Sequence, residues 1–221
     1  MANATTLPVP HWRELTPLPL CGLAGAFVGV SGGALLVAGG TTFLGAAPWD
    51  GGVKTWFDAI HVLSSPHAGW EHVGDLPRAL GYGVSATWRD HVLCLGGSDS
   101  MLHRTEVLAV RHSTEGGLQI EHGPNMPVGL AYAAAVLVGD SLFILGGSTS
   151  PNATSASARL WVLNLSNGLT SAAWSELPTC TGGGRILPSI AWSGRRLLVV
   201  SGAKLVVQGD GSGAVTSTNG I

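Results

Sequence analysis

Leu35-Leu36-Val37-Ala38-Gly39-Gly40 returns three times along this chain. The copies are Leu93-Cys94-Leu95-Gly96-Gly97, Phe143-Ile144-Leu145-Gly146-Gly147 and, weakened, Leu198-Val199-Val200-Ser201-Gly202. Each is an apolar, β-favouring run closed by two small residues. Such a run reads as a buried strand ending where the backbone turns or another segment comes close. The second glycines stand at 40, 97, 147 and 202, giving spacings of 57, 50 and 55 residues. A period of about 40–50 residues or slightly more, with several strands inside it, is that of a β-propeller blade.

Working outward from the first copy, Ala26–Val30 reads as the strand before it. Alternating Phe57–Leu63 and then Trp70–Val73 read as the strands after it. The second unit repeats the set as Tyr82–Trp88, His91–Leu95, Thr105–Val110 and Leu118–Glu121. The third gives Tyr132–Val138, Ser141–Leu145, Leu160–Leu165 and Ala173–Glu176. The inner strand of each blade is expected to be the first, apolar and rich in small residues. Leu187–Trp192 and Arg196–Val200 begin a fourth unit, and the polar tail after Gln208 carries no further strand signal. Units end on a tryptophan and a proline: Trp70 before Pro77, Trp174 before Pro178, with Ile120 replacing the tryptophan before Met126-Pro127. Trp12–Leu15 before Pro19 repeats that ending, so 12–15 reads as the outer strand of a preceding blade. The expected organisation is one partial propeller over 1–221, with blades at 22–76, 80–126 and 131–177 and an incomplete one at 186–221. A β-sandwich is the competing architecture, but the repeated glycine pairs argue against it.

Composition narrows the class. Of 221 residues, 45% are apolar, 11% are charged and 33 are glycine, as in a tightly turned all-β chain. A net charge of -2 gives no basic footprint for nucleic acid. Leu15 to Trp49 lacks charge and is long enough for a membrane span, but Pro17, Pro19 and Ser31-Gly32-Gly33 interrupt it. The first residues lack the basic start of a signal peptide, so a cytoplasmic location is expected, with no membrane partner. Cys21, Cys94 and Cys180 are far apart and odd in number, which suggests free buried thiols. The eight histidines form no metal set, and neither Tyr82 nor Tyr132 suggests a copper-radical site. No cofactor is implied.

The hydrophobic run, double glycine and spaced aromatic resemble kelch propellers. A closer resemblance lies in Gly22–Ser31 through the first glycine pair, then Pro48-Trp49-Asp50-Gly51-Gly52-Val53-Lys54-Thr55-Trp56-Phe57-Asp58 and Leu80-Gly81-Tyr82-Gly83-Val84-Ser85. In that order these are similar to the N-acetylneuraminate epimerases, or sialic acid mutarotases, in cyclically permuted form. The resemblance implies a six-bladed ring, of which about three and a half blades are present, the chain reading as truncated. It also implies anomer interconversion of N-acetylneuraminate or a similar sugar acid, with a glutamate base in a later blade. No counterpart of that glutamate motif stands before Ile221. Some relatives are periplasmic.

In a meander, the loop between strands two and three shares a face with the loop entering the next blade. The first class is 41–56, 98–104 and 148–158; the second is 77–81, 127–131 and 178–186. Mutarotation needs a base at the anomeric hydroxyl, an acid at the ring oxygen and a cation for the carboxylate. Arg78 and Arg185 are the main carboxylate candidates, each just before a first strand. Asp50, Asp99 and His103 are the candidates for proton transfer. Lys54 and Trp56 are further substrate-binding candidates, against surface-charge and packing roles; Arg104 reads as a surface charge. The alternative function is a non-catalytic kelch module that binds a protein or glycan. Self-association through an open blade edge is expected of a partial ring.

Overall fold

The computed structural model describes residues 12–20, 22–207 and 213–217. The fold is all-β, an arc of propeller blades. Blade one contains β1 (Phe27–Ser31), β2 (Ala34–Ala38), an inserted hairpin of β3 (Thr41–Phe43) and β4 (Lys54–Trp56), then β5 (Ala59–Leu63) and β6 (Trp70–Asp75). Blade two is β7 (Val84–Trp88), β8 (His91–Leu95), β9 (Val107–Ser113) and β10 (Gly117–His122). Blade three is β11 (Ala131–Val138), β12 (Ser141–Ser148), β13 (Leu160–Asn164) and β14 (Ala173–Leu177). Each is a four-stranded antiparallel meander, ordered β1-β2-β5-β6, β7-β8-β9-β10 and β11-β12-β13-β14. A fourth unit supplies the pair β15 (Ser189–Trp192) and β16 (Leu197–Val200).

The first strands are innermost, as expected: β1 packs on β7, β7 on β11 and β11 on β15. Alternation within the second strands explains how the blades stack. Leu36 and Ala38 face blade two and join Val92 and Cys94 in one core. Leu93 and Leu95 point the other way and join Leu142 and Ile144 in the next core. Successive strand residues point to opposite faces, so one apolar run serves two interfaces. This is why the run shows no polar alternation. Each leucine, isoleucine or valine among them contributes about 1.5–3 kcal/mol by leaving water.

The glycine pairs tie the blades together. The first glycine donates to the third strand's entry in its own blade: Gly39 to Ala59 O at 3.0 Å, Gly96 to Glu106 O at 2.8 Å and Gly146 to Arg159 O at 3.2 Å. The second donates to the next blade's entry loop: Gly40 to Leu80 O at 2.7 Å, Gly97 to Leu130 O at 2.8 Å and Gly147 to Arg185 O at 2.8 Å. All six have positive φ, and a Cβ on the first of each pair would run into that entry-loop carbonyl.

The tail differs from expectation. Ala203–Val207 and Gly213–Ser217 form a hairpin, β17 and β18. Ile186 bridges Ala203 as Ala24 bridges Thr41, Gly81 bridges Ser98 and Ala131 pairs with Ser148, seventeen residues apart each time. The tail hairpin is therefore the fourth unit's counterpart of β3–β4, a loop between strands two and three. Residues 12–15 also differ, having no strand pairing among the described residues. Their neighbour Thr16 accepts from Trp70 Nε1 at 2.8 Å, just as Pro124 accepts from Trp174 Nε1 at 3.0 Å. Residues 16–19 thus stand where blade two's closing turn stands. Cys94 and Cys180 are free thiols, Cys94 buried as expected but Cys180 only half-buried, and Cys21 lies outside the described residues. Among the described residues, no helix is long and apolar enough to cross a membrane.

Candidate functional site

Gly25, Tyr82, Tyr132 and Leu187 each stand fifteen residues before the second small residue of their unit. All four adopt left-handed backbone, with φ of 67°, 61°, 60° and 51°. They are linked in a ladder: Tyr82 N–H donates to Gly25 O at 2.7 Å, Tyr132 N–H to Tyr82 O at 2.8 Å and Leu187 N–H to Tyr132 O at 2.8 Å. The ladder runs from blade to blade around the channel mouth, at the entrance of each inner strand. Left-handed backbone is unfavourable for a bulky residue and collects where a site needs it.

The two tyrosines bring their rings together over this ladder, with centroids 4.8 Å apart. Tyr82 also meets the Trp56 ring edge-on at 5.9 Å. Its hydroxyl lies 2.9 Å from Thr41 Oγ1, which in turn lies 3.4 Å from Ala24 O. Lys54 Nζ sits 4.8 Å from the centre of the Tyr82 ring, 5.6 Å from Trp56 and 5.7 Å from Phe43. The β3–β4 hairpin makes this seat, because Thr41 pairs with Trp56 and Phe43 with Lys54. Lys54 is half-buried and has no carboxylate partner among the described residues. It is an ammonium held by aromatic faces, not a free surface charge.

On the other side of the tyrosines, His103 meets the Tyr132 ring edge-on at 5.9 Å. Both its ring nitrogens are buried without a hydrogen-bond partner. Burial lowers its pKa against the opposing pull of Asp99, so the imidazole is neutral near pH 7. Burial, with a smaller contribution from Tyr82, raises the pKa of the Tyr132 phenol and keeps it protonated.

The remaining candidates are dispersed or engaged. Asp99 accepts from the Met101 and Leu102 N–H groups, each at 2.8 Å, and from Arg104 Nε at 2.6 Å. Burial alone would raise its pKa, but those two N–H groups and Arg104 outweigh it and hold the carboxyl low. Arg104 is accordingly a half-buried ion-pair member. Asp50 lies exposed in the 3₁₀ turn Pro48–Asp50 at the insert's tip. Arg78 pairs with Glu106 at 3.0 Å, beside a cavity of about 140 Å³ between blades one and two. Arg78 and Arg185 do not occupy comparable places. Arg185 stands two residues before Leu187, the position of Leu80 and Leu130, and is 6% exposed against their 2% and 3%. Its guanidinium donates to Ser201 O at 3.0 Å, Gly182 O at 2.7 Å and Gly183 O at 3.4 Å.

Of the sequence candidates, then, Lys54, Trp56 and His103 gather around the channel mouth. Tyr82, Tyr132 and Thr41 belong with them and were not singled out. The signal was available in the fifteen-residue offset that places both tyrosines in register with Gly25.

The sequence profile of N-acetylneuraminate epimerase matches residues 9–120, half of the chain. The chain belongs to the N-acetylneuraminate epimerase family. The matched region holds blades one and two, with Lys54, Trp56, Tyr82 and His103. The N-acetylneuraminate epimerase of Salmonella arizonae is 40% identical over 88 residues, covering 36% of this chain and 22% of that protein. That of Brucella suis is 34% identical over 105 residues, covering 40% of this chain and 26% of its own length. The matched stretch thus spans about a quarter of these relatives. The solved structure of YjhT superposes with a TM-score of 0.77 at 15% identity, covering 97% of this chain and 71% of that one. This likeness shows a shared propeller fold across nearly the whole epimerase-family chain.

Proposed function

We propose that this member of the N-acetylneuraminate epimerase family takes part in interconverting the anomers of N-acetylneuraminate or a similar sugar acid. The observation that carries the reading is the Lys54–Tyr82–Tyr132–His103 cluster at the channel mouth, formed largely within the family-matched region. Lys54 supplies the positive charge for the sugar carboxylate, since Arg78 and Arg185 are engaged by Glu106 and by backbone carbonyls. The Trp56 and Tyr82 faces suit the apolar side of a sugar ring.

The chemistry asks for two proton transfers. The anomeric O–H gives its proton to a base while the ring oxygen takes one from an acid, and the C–O bond of the ring breaks. After rotation, the hydroxyl adds back to either face of the carbonyl and both protons return. Neutral His103 suits the base and the Tyr132 phenol suits the acid. His103 meets the ligand when the sugar displaces the ring edge that covers it. Asp50, at the exposed tip of the insert, is a candidate for contacts to the sugar's outer hydroxyls.

The test is anomer exchange of N-acetylneuraminate followed by proton NMR. Acceleration above the spontaneous rate is expected, and it should fall at least tenfold in His103→Gln. Binding of the sugar acid without acceleration would instead favour the non-catalytic binding module.

A further inference from the structure

The 98–104 loop carries an acid, a base and an imidazole within six residues, yet only the imidazole faces the tyrosines. Ser98 bridges both Gly81 and His103, and Arg104 N–H donates to Gly97 O at 2.7 Å, so the loop is a tight hairpin. Asp99 closes it. One carboxylate oxygen takes the Met101 and Leu102 N–H groups, and the other takes Arg104. Asp99 N–H also donates to Leu102 O at 3.0 Å.

Neighbouring side chains on an extended segment point to opposite faces. Drawing the Arg104 side chain onto Asp99 therefore turns that of His103 the other way, towards Tyr132. No hydrogen bond grips the imidazole, because neither of its nitrogens has a partner among the described residues. Its orientation is set by the backbone and by packing on the Tyr132 ring. Behind it, Gly129 leaves room for the His103 carbonyl, which a Cβ there would strike.

We infer that Asp99 is a positioning residue: through Arg104 and the 99–102 turn it fixes the His103 imidazole against Tyr132. This rests on the proposed proton-transfer role of His103, but the placement can be tested apart from activity. The titratable groups facing His103 are Asp99 on its own loop and Tyr132 on β11, and Arg104 reaches it only through Asp99.

The experiment uses the whole chain and follows the His103 ring protons by NMR, assigned by their loss in His103→Gln. In the parent chain the Tyr132 ring current should shift these signals. Asp99→Ala and Arg104→Gln should both move them towards exposed-histidine values. Asp99→Asn keeps one turn acceptor and should move them less, while lowering the histidine's titration midpoint further by removing a negative charge. Exchange, where present, should fall in kcat with little change in KM. Unchanged ring shifts and midpoint in Asp99→Asn and Arg104→Gln would overturn the inference, whatever Asp99→Ala does to folding. Loss of exchange in Asp99→Asn with unmoved His103 signals would also overturn it, making Asp99 itself catalytic. Absence of exchange in the parent chain would refute the proposed function and leave the NMR result to decide the placement.

Discussion

The Tyr82 ring occupies the space where a side chain at Gly25 would be: a Cβ built there would lie 2.5 Å from Tyr82 Cδ1. Blade one thus gives up its side chain at the ladder position so that blade two can lay an aromatic ring across it. Gly25→Ala should push Tyr82 off Trp56 and Lys54. Left-handed backbone costs an L-residue about 1–2 kcal/mol before any clash. Urea unfolding should report a loss of at least that size, together with altered tryptophan fluorescence. An unperturbed Gly25→Ala chain would show that the ring has other places to go.

Buried His61 and half-buried His103 set an acid limit. Burial, then His72, lowers the pKa of His61 against Asp75, and burial lowers that of His103 against Asp99. Between those lowered values and the ordinary 6.5, the unfolded chain binds more protons than the folded one. Stability should therefore decline as pH falls below about 6.5 and continue to decline until the folded groups protonate. Asp90 and Asp99, both held low, lose their contribution only at more acidic pH, below their ordinary 3.8. Thermal melts from pH 7.5 to 5 should show a falling Tm, made shallower by His103→Gln. A flat profile would mean that neither histidine is buried neutral.

Lys54→Met keeps the length of the side chain and removes its charge. Affinity for a sugar carboxylate should fall about tenfold or more, roughly 1.4 kcal/mol, while binding of a neutral sugar stays the same. Lys54→Arg should retain most of the affinity. Equal losses for charged and neutral sugars would point to a collapsed aromatic seat instead.

Opposite the channel mouth, Trp88 Nε1 donates to Asp140 Oδ1 at 2.7 Å, joining blades two and three. Trp88 is buried, so Asp140→Ala strands its N–H at a cost of about 1–3 kcal/mol. Asp140→Asn keeps an acceptor and should be nearly neutral. Denaturant titration of both variants separates the bond from the charge.

Leu198 and Val200 occupy the positions that in the other units face the next blade, and both are exposed. The chain should therefore self-associate, and Leu198→Glu with Val200→Lys should reduce scattering at matched concentration. A monomeric parent chain across a concentration series would count against this.

The blades were legible because the second strands of blades one to three pack apolar side chains on both faces, so no polar alternation dilutes their signal. The hairpins β3–β4 and β17–β18 were not, being short and partly polar; their evidence is the bridge to a residue seventeen positions back. The surroundings of Arg185 were hidden for a related reason. Its charge suggested a ligand contact; it sits at a leucine position and its guanidinium donates to backbone carbonyls. Lys54 and Trp56 were singled out through the insert that carries them. Tyr82 and Tyr132 read as ordinary strand residues, because their left-handed backbone shows in the sequence only through the register they share with Gly25.

The ladder from Gly25 to Leu187 has an electrostatic consequence. Its N–H to O=C bonds run from blade to blade along the arc, so their peptide dipoles follow one another sideways instead of converging on one point. A helix end concentrates positive potential on an anion; dipoles strung along an arc have their poles at its two ends, not over its middle. An anion over the tyrosines therefore gains less from the backbone here than at a helix end. What sign of charge the opening prefers is decided by side chains, which makes Lys54 the natural lever for reversing it.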